Sequence, residues 1–438
     1  MIDGCQAMGG VMVDRLKFLL HRTRERLWVR PLITGLLSVA LVFLVKTADD
    51  HDIGWLVPAI TQASTETLLA IISASMLVIA IFAVASMVAA YTSASSVATP
   101  RAFSLVIADD ISQNALSTFI GAFIFSIVAL VALQNNFYDR AGRFILFVIT
   151  VLILAMVIIT FVRWVDCIAR LGRLGSTLEK LEAVTAAALR RRRRIPTLGG
   201  VPMGRQPHRG LAIYSGSIGY VQRIEITALQ AHAEKAGLHI QVAALPGTFS
   251  APDRALAYIT LDPGAPLDFD PTPIVQAFVI GVHREFDEDP RFGLIVLSEI
   301  ASRALSPAVN DPGTAIGIIG SFVRLLALWI TPVESDERCI VECDRVTVPE
   351  LSLHDMFDDA FIAIARDGAG TIEVACKLQK AFASLASLGD VAMREAATRH
   401  AGLALARSEL ALALPDDLEM IRRLAALALS DQPSLTEG

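Results

Sequence analysis

At 438 residues the chain has room for two or three domains, and 54% hydrophobic against 19% charged residues is more apolar than ordinary globular composition. A net charge of −6 excludes a global field for nucleic acid, and five scattered cysteines exclude a disulfide framework and fit a reducing compartment for the second half. Cys339, Cys343 and His354 supply three of the four ligands a structural zinc site needs, so they read as packed side chains, and neither a metal nor a cofactor is expected.

The first segment, 1–30, is basic, with Arg15, Lys17, Arg22, Arg24, Arg26 and Arg30. The apolar run after it has no small-residue cleavage site, so it reads as a retained anchor. A bilayer core roughly 30 Å thick needs about 20 apolar residues at about 1.5 Å each. Residues 67–91, the heart of 111–138 and 144–162 meet this without a charge. Residues 31–45 reach span length if the helix starts near Leu27 and Arg30 and Lys46 extend to the two interfaces.

Four spans are therefore expected, and lysine and arginine placement gives their direction. The loop after the first span, 47–66, has no Lys or Arg and carries Asp49, Asp50, Asp52 and Glu66. After the fourth come Arg163, Arg170, Arg173, Lys180 and the run Arg190, Arg191, Arg192, Arg193, Arg194. Both termini are expected on the cytoplasmic side of a bacterial inner membrane. Between the second and third spans, Pro100 and Arg101 lead into Phe103, Leu105, Val106 and Ile107, an expected amphipathic surface segment. The spans have no ionisable residue at their centres. Their polar groups are hydroxyls (Ser73, Ser75, Ser86, Ser117, Ser126, Thr150, Thr160) beside small residues such as Ala70, Ala74 and Gly121.

Residues 163–189 have the leucine spacing of one helix leaving the bilayer. The arginine run, followed by Pro196, Gly199, Gly200, Pro202 and Gly204, reads as a basic linker. Beside a membrane it is attracted to anionic lipid headgroups at about 1 kcal/mol per charge. No aromatic residues interleave with it, so nucleic acid is not an expected partner.

Strands are expected at 211–214, 219–222, 239–243 and 256–261, a helix at 224–236 capped by Gly237, and a turn at Pro246-Gly247. The order suggests a small α/β or barrel-sandwich module. Farther on, 273–282 reads as helical. It leads to His283-Arg284-Glu285-Phe286-Asp287-Glu288-Asp289-Pro290, then a helix at 294–305, then Ser306-Pro307-Ala308-Val309-Asn310-Asp311-Pro312-Gly313-Thr314, then an apolar helix ending near Trp329. Two readings of this text stay open. In one it is turn and capping chemistry, with Arg284 and Arg303 paired to Asp287, Asp289 or Asp311. In the other, Arg284, Asp287, Asp289, Arg303, Asn310, Asp311 and Thr314 form a ligand or regulatory site. No nucleophile-and-base arrangement or phosphate loop is present. Strands are expected within 337–348 and 361–364, and helices over 372–429, broken at Gly389 and Pro415.

The fold class expected is a four-span α-helical membrane region followed by a cytoplasmic α+β domain that ends in a helical segment. Its parts are the basic N-terminal segment 1–30, a four-helix transmembrane domain 31–165, an exit helix and linker 166–205, a strand-rich α/β module 206–268 and a mainly helical domain 269–438.

Ser95 to Phe103, Gly219-Tyr220-Val221-Gln222 with Ile224, and above all the text from Asp289 to Ala315, DPRFGLIVLSEIASRALSPAVNDPGTA, carry a resemblance. By them the chain resembles a bacterial family of predicted membrane proteins, domain of unknown function twenty-two fifty-four. The resemblance implies an inner-membrane protein with N-terminal spans and a cytoplasmic domain, and no catalytic residue. The leading functional expectation is a homo-oligomer of channel or transport type regulated by its cytoplasmic domain. The alternative is a non-conducting membrane-anchored sensor or scaffold that binds a ligand or partner there, and a membrane enzyme is third.

Overall fold

The computed structural model describes residues 28–49, 58, 60–97, 99–102, 110–170, 174–204, 210–263, 269–332 and 343–429. The basic residues before Trp28 and the amphipathic segment expected at 103–107 lie outside them. The chain divides into two compact units, Met1–Thr177 and Leu178–Gly438.

The first unit is built from α1 (Val29–Asp49), α2 (Gln62–Val97), α3 (Asp110–Gln134) and α4 (Arg140–Arg170). These contain the four expected apolar runs. Among the described residues a fifth helix, Pro312–Ile330 in the second unit, is also long and apolar enough to cross a membrane. Helix α3 packs against α1, α2 and α4, and half of its apolar stretch is buried, against 17% for α4. The α1–α3 approach is close because glycines face it. A Cβ on Gly35 would come 2.8 Å from Ile124, and one on Gly121 would come 3.3 Å from Thr34. Phe119, Phe125, Leu133, Leu146 and Trp164 fill the interior, and the Tyr138 hydroxyl donates to the Val42 carbonyl at 2.8 Å. The large side chains Leu37, Val78, Ile81, Leu152 and Val162 stay exposed on the outside. That pattern is what lipid as the surrounding solvent selects.

The second unit begins within α5 (Leu174–Arg194), a helix that includes the arginine run. Part of the stretch expected to be a linker is therefore helical. A further part is β1 (Gly200–Pro202), an edge strand, where a proline is tolerated. After it come β2 (Leu211–Tyr214), β3 (Gly219–Ile224), α6 (Ile226–Ala236), β4 (Leu238–Val242), β5 (Phe249–Ser250), β6 (Ala255–Leu261), α7 (Thr272–Gln276) and β7 (Phe278–Gly281). The last strand corrects the helix expected at 273–282. Of that stretch only 273–276 are helical, and 278–281 pair antiparallel with β3, Ile224 opposite Phe278. Gly237 ends α6 with φ +64°, the left-handed cap its position suggested.

With β8 (Cys343–Val348) the strands make a five-stranded sheet in the order β1-β8-β4-β6-β2 and a three-stranded sheet in the order β5-β3-β7. Val221, Leu229, Ile240, Leu256, Ile259, Phe278 and Val346 belong to one core, so both sheets share it.

The remaining helices are α8 (Pro290–Ala304), α9 (Pro312–Ile330), α10 (Leu353–Asp367), α11 (Ile372–Leu388), α12 (Val391–Ala411) and α13 (Pro415–Leu429). The strand expected at 361–364 lies inside α10. Met356, Phe357, Ala360, Phe361 and Ile364 are buried at helical spacing, and Phe361 packs edge-on to Phe322 and Phe382. Three or four residues of apolar text do not distinguish the two periods, and burial against α9 and α11 decided for the helix.

Candidate functional site

Helices α8 and α9 start the same way. Each has an aspartate cap followed by proline, whose missing N–H and fixed φ suit a first turn. Asp289 Oδ1 accepts from the Phe292 N–H at 3.2 Å, and Asp311 Oδ1 accepts from the Thr314 N–H at 3.0 Å. The Thr314 hydroxyl also donates to Asp311 Oδ2 at 2.5 Å, and together these bonds hold the Asp311 carboxyl below the usual range. Asn310, just before, sits at φ +50° and is exposed. Arg303 and Asp287 are exposed as well.

The sequence candidates thus fall into two groups. Arg284, Asp287 and Asp289 stand at the start of α8; Arg303, Asn310, Asp311 and Thr314 stand at its end and beyond. Fifteen helical residues at about 1.5 Å each separate them by about 22 Å. They are two places in the fold.

The first group is the more buried. Asp289 is 3% exposed, and its Oδ2 accepts from Arg284 Nε and Nη2, both at 2.7 Å. Burial raises the Asp289 carboxyl, while Arg284 and the Phe292 N–H oppose that. The same guanidinium lies 5.3 Å over the Phe292 ring. The Pro246-Gly247 turn closes against this pair. Gly247 has φ +91°, and a Cβ there would lie 2.2 Å from Asp289 Oδ2. Gln222 Nε2 donates to the His283 carbonyl at 2.8 Å, which ties β3 to the same segment. Residues 42 and 67 positions before Asp289 therefore meet the segment that carries it.

Sequence reasoning missed the groups that surround this pair. Arg291 bridges to Asp355 at 2.7 Å and Asp359 at 2.6 Å on α10. Burial works against its charge, yet the two carboxylates outweigh it and hold its pKa above the ordinary value. Glu288 lies 3.6 Å from Arg223 Nε, which lies 3.3 Å from Glu225. Burial pushes the Glu288 carboxyl up to about 7, against the pull of Arg223, Arg192 and Arg191.

The arginine run is not uniform. Arg190, Arg191 and Arg194 are exposed and Arg193 is half-buried, but Arg192 is only 4% exposed. Arg191 donates to the Asp287 carbonyl at 2.8 Å. Arg192 continues the buried stripe of Leu181, Thr185, Ala188 and Leu189, and that periodicity is the signal by which the sequence could have set it apart from its neighbours. Its Nε, Nη1 and Nη2 are all buried with no hydrogen-bond partner among the described residues. Burial lowers its pKa to about 10, with Glu288 and Asp289 as the neighbouring charges that resist the change.

Four lipid-compatible helices followed by a two-sheet α/β and helical unit define a membrane protein with several candidate spans. The chain belongs to the family described as Predicted membrane protein (DUF2254), which matches residues 24–384. Over 57 residues it is 47% identical to uncharacterised proteins of Mycobacterium bovis and of two strains of Mycobacterium tuberculosis. That match covers 13% of this chain and only 11% of each of those proteins. No solved structure matches the chain.

Proposed function

We propose that this protein is a membrane-anchored sensor that responds to a ligand held in its second unit. In this reading α1 to α4 cross a bacterial inner membrane four times, with both termini cytoplasmic, as the arginine-flanked ends favour. The observation that carries the sensor reading is where the perturbed ionisable groups lie. Residues 31–45, 67–92, 111–134 and 144–162 contain no Asp, Glu, Lys, Arg or His. In contrast, Arg192, Glu288, Asp289, Arg291 and Asp359 gather in the second unit, and displaced pKa values cluster at functional sites more often than chance. The exposed Arg190, Arg191 and Arg194 are suited to anionic lipid headgroups.

An oligomer of channel or transport type is the second reading. It is favoured by the outward face of α2, where Ala70 and Ala74, then Ala85 and Ala89, are exposed at the four-residue spacing that lets membrane helices approach closely. Because Phe119, Phe125 and Trp164 fill the interior of one copy, any conduction would run along an axis between copies. Planar-bilayer recording of the reconstituted full chain separates the two. No current under voltage or tension is expected, and a sustained unitary conductance would replace the sensor with the channel.

A further inference from the structure

We infer that Arg192 anchors a site for a small oxyanion (phosphate, sulfate or carboxylate) in the second unit, with Glu288 as its proton-linked counter-charge. This names the ligand class for the sensor reading and rests on it.

The geometry starts from unmet demand. A guanidinium carries five N–H donors in a planar fork, and at Arg192 all three nitrogens are buried with no hydrogen-bond partner among the described residues. Leaving a buried charge in that state costs more than losing an ordinary hydrogen bond. The nearby carboxylates do not meet it. Asp289 is taken on one oxygen by Arg284 and on the other by the Phe292 N–H. Glu288 sits at 3.6 Å from Arg223, whose guanidinium is shared with Glu225. Two oxygens of a phosphate, sulfate or carboxylate match a guanidinium fork in spacing and plane. At 4% exposure Arg192 is nearly closed off from solvent, which favours a compact ion over an extended molecule as the ligand.

Glu288 makes the site depend on pH. It is faced by Arg191 and Arg192 from α5, by Arg223 from β3 and by Glu225 just after that strand, with Asp287 and Asp289 beside it in sequence. An ionised Glu288 competes with an incoming anion for the same cations. A protonated Glu288 leaves Arg192 uncompensated and receptive. Since its carboxyl titrates near 7, the receptive form dominates below neutrality.

The test uses the full chain in nanodiscs of phosphatidylcholine, with sulfate as probe because its charge does not change between pH 6 and 8. Calorimetric titration is run against chloride at matched ionic strength. Saturable sulfate binding is expected, about ten-fold tighter at pH 6 than at pH 8, the ratio of the receptive populations. Arg192→Met should abolish it. Glu288→Gln should keep it and remove the pH dependence, so the inference stays exposed even if the methionine variant folds poorly. Replacing part of the lipid by phosphatidylglycerol separates the sources: competition with sulfate assigns a headgroup phosphate, and its absence assigns a free oxyanion. Non-saturable binding equal to that of chloride, or Arg192→Met binding sulfate like wild type, overturns the site. Because that outcome is read by calorimetry and the sensor reading by bilayer current, the two failures are told apart.

Discussion

Acidification should act on two buried groups of the second unit in opposite directions. His400 on α12 is 2% exposed, among the rings of Phe357, Phe361 and Phe382 at 5.5 to 6.2 Å, with Nε2 3.1 Å from Asp358. Burial, aided by Arg399 and His354 against the pull of Asp358, lowers its pKa from 6.5 to about 4. Between those values the unfolded chain binds a proton that the folded chain does not, so this contribution falls as pH falls, by about 3 kcal/mol over the window. Glu288 has the reverse sign. Its pKa rises from 4.5 to about 7 on folding, so its contribution is fully present below pH 4.5 and is lost as pH rises through 7. Where the windows overlap these two contributions offset each other. Glu288→Gln removes one side of the balance. Denaturant unfolding of the full chain in detergent, at steps from pH 7.5 to 4, should then show the variant losing about 3 kcal/mol more than wild type on acidification, and His400→Gln should not show that loss. A Glu288→Gln variant with the same pH dependence as wild type would refute the opposing-titration argument.

Other substitutions address packing and pairing. Gly247→Ala adds a Cβ at φ +91° into the Arg284–Asp289 pair, and should cost more than about 2 kcal/mol in thermal melting. Arg291→Met leaves the half-buried Asp359 without its cation; a loss of about 2 kcal/mol is expected, and adding Asp359→Asn should recover part of it in a double-mutant cycle. In the first unit, Tyr138→Phe deletes the hydroxyl bond to the Val42 carbonyl and should lower resistance to unfolding in mixed micelles by about 1 kcal/mol.

Elements with a strong local signal were legible from the residues. The three uncharged runs of 67–91, 111–138 and 144–162 became α2, α3 and α4, because the length needed to cross a bilayer is a property of the segment alone. Gly237 and the Asp311 cap of α9 also read correctly, since a cap involves only its own three or four neighbours, whereas α8 begins at Pro290, four residues before the helix expected from 294. Short apolar stretches did not. Residues 278–281 became a strand because β3 was there to pair with them, and Phe361 went to a helix because Phe322 and Phe382 enclose it.

The candidate site shows the same division. Asp289 and Arg284 were visible as a charged run before a helix, and their pairing across five residues is local chemistry. That Gly247 and Gln222 close on that run, and that Asn310 and Asp311 stand a helix length away from it, depends on strand order and helix direction. Arg192 is the sharpest case. Five consecutive arginines are equivalent as text, yet helical rotation turns one of them inward toward Glu288 while exposing three, and only packed neighbours give a buried charge its electrostatic consequence. By itself the sequence determined which stretches can live in lipid and the caps at Gly237 and Asp311. The tertiary structure decided which charges leave water, because desolvation is imposed by atoms distant in the chain.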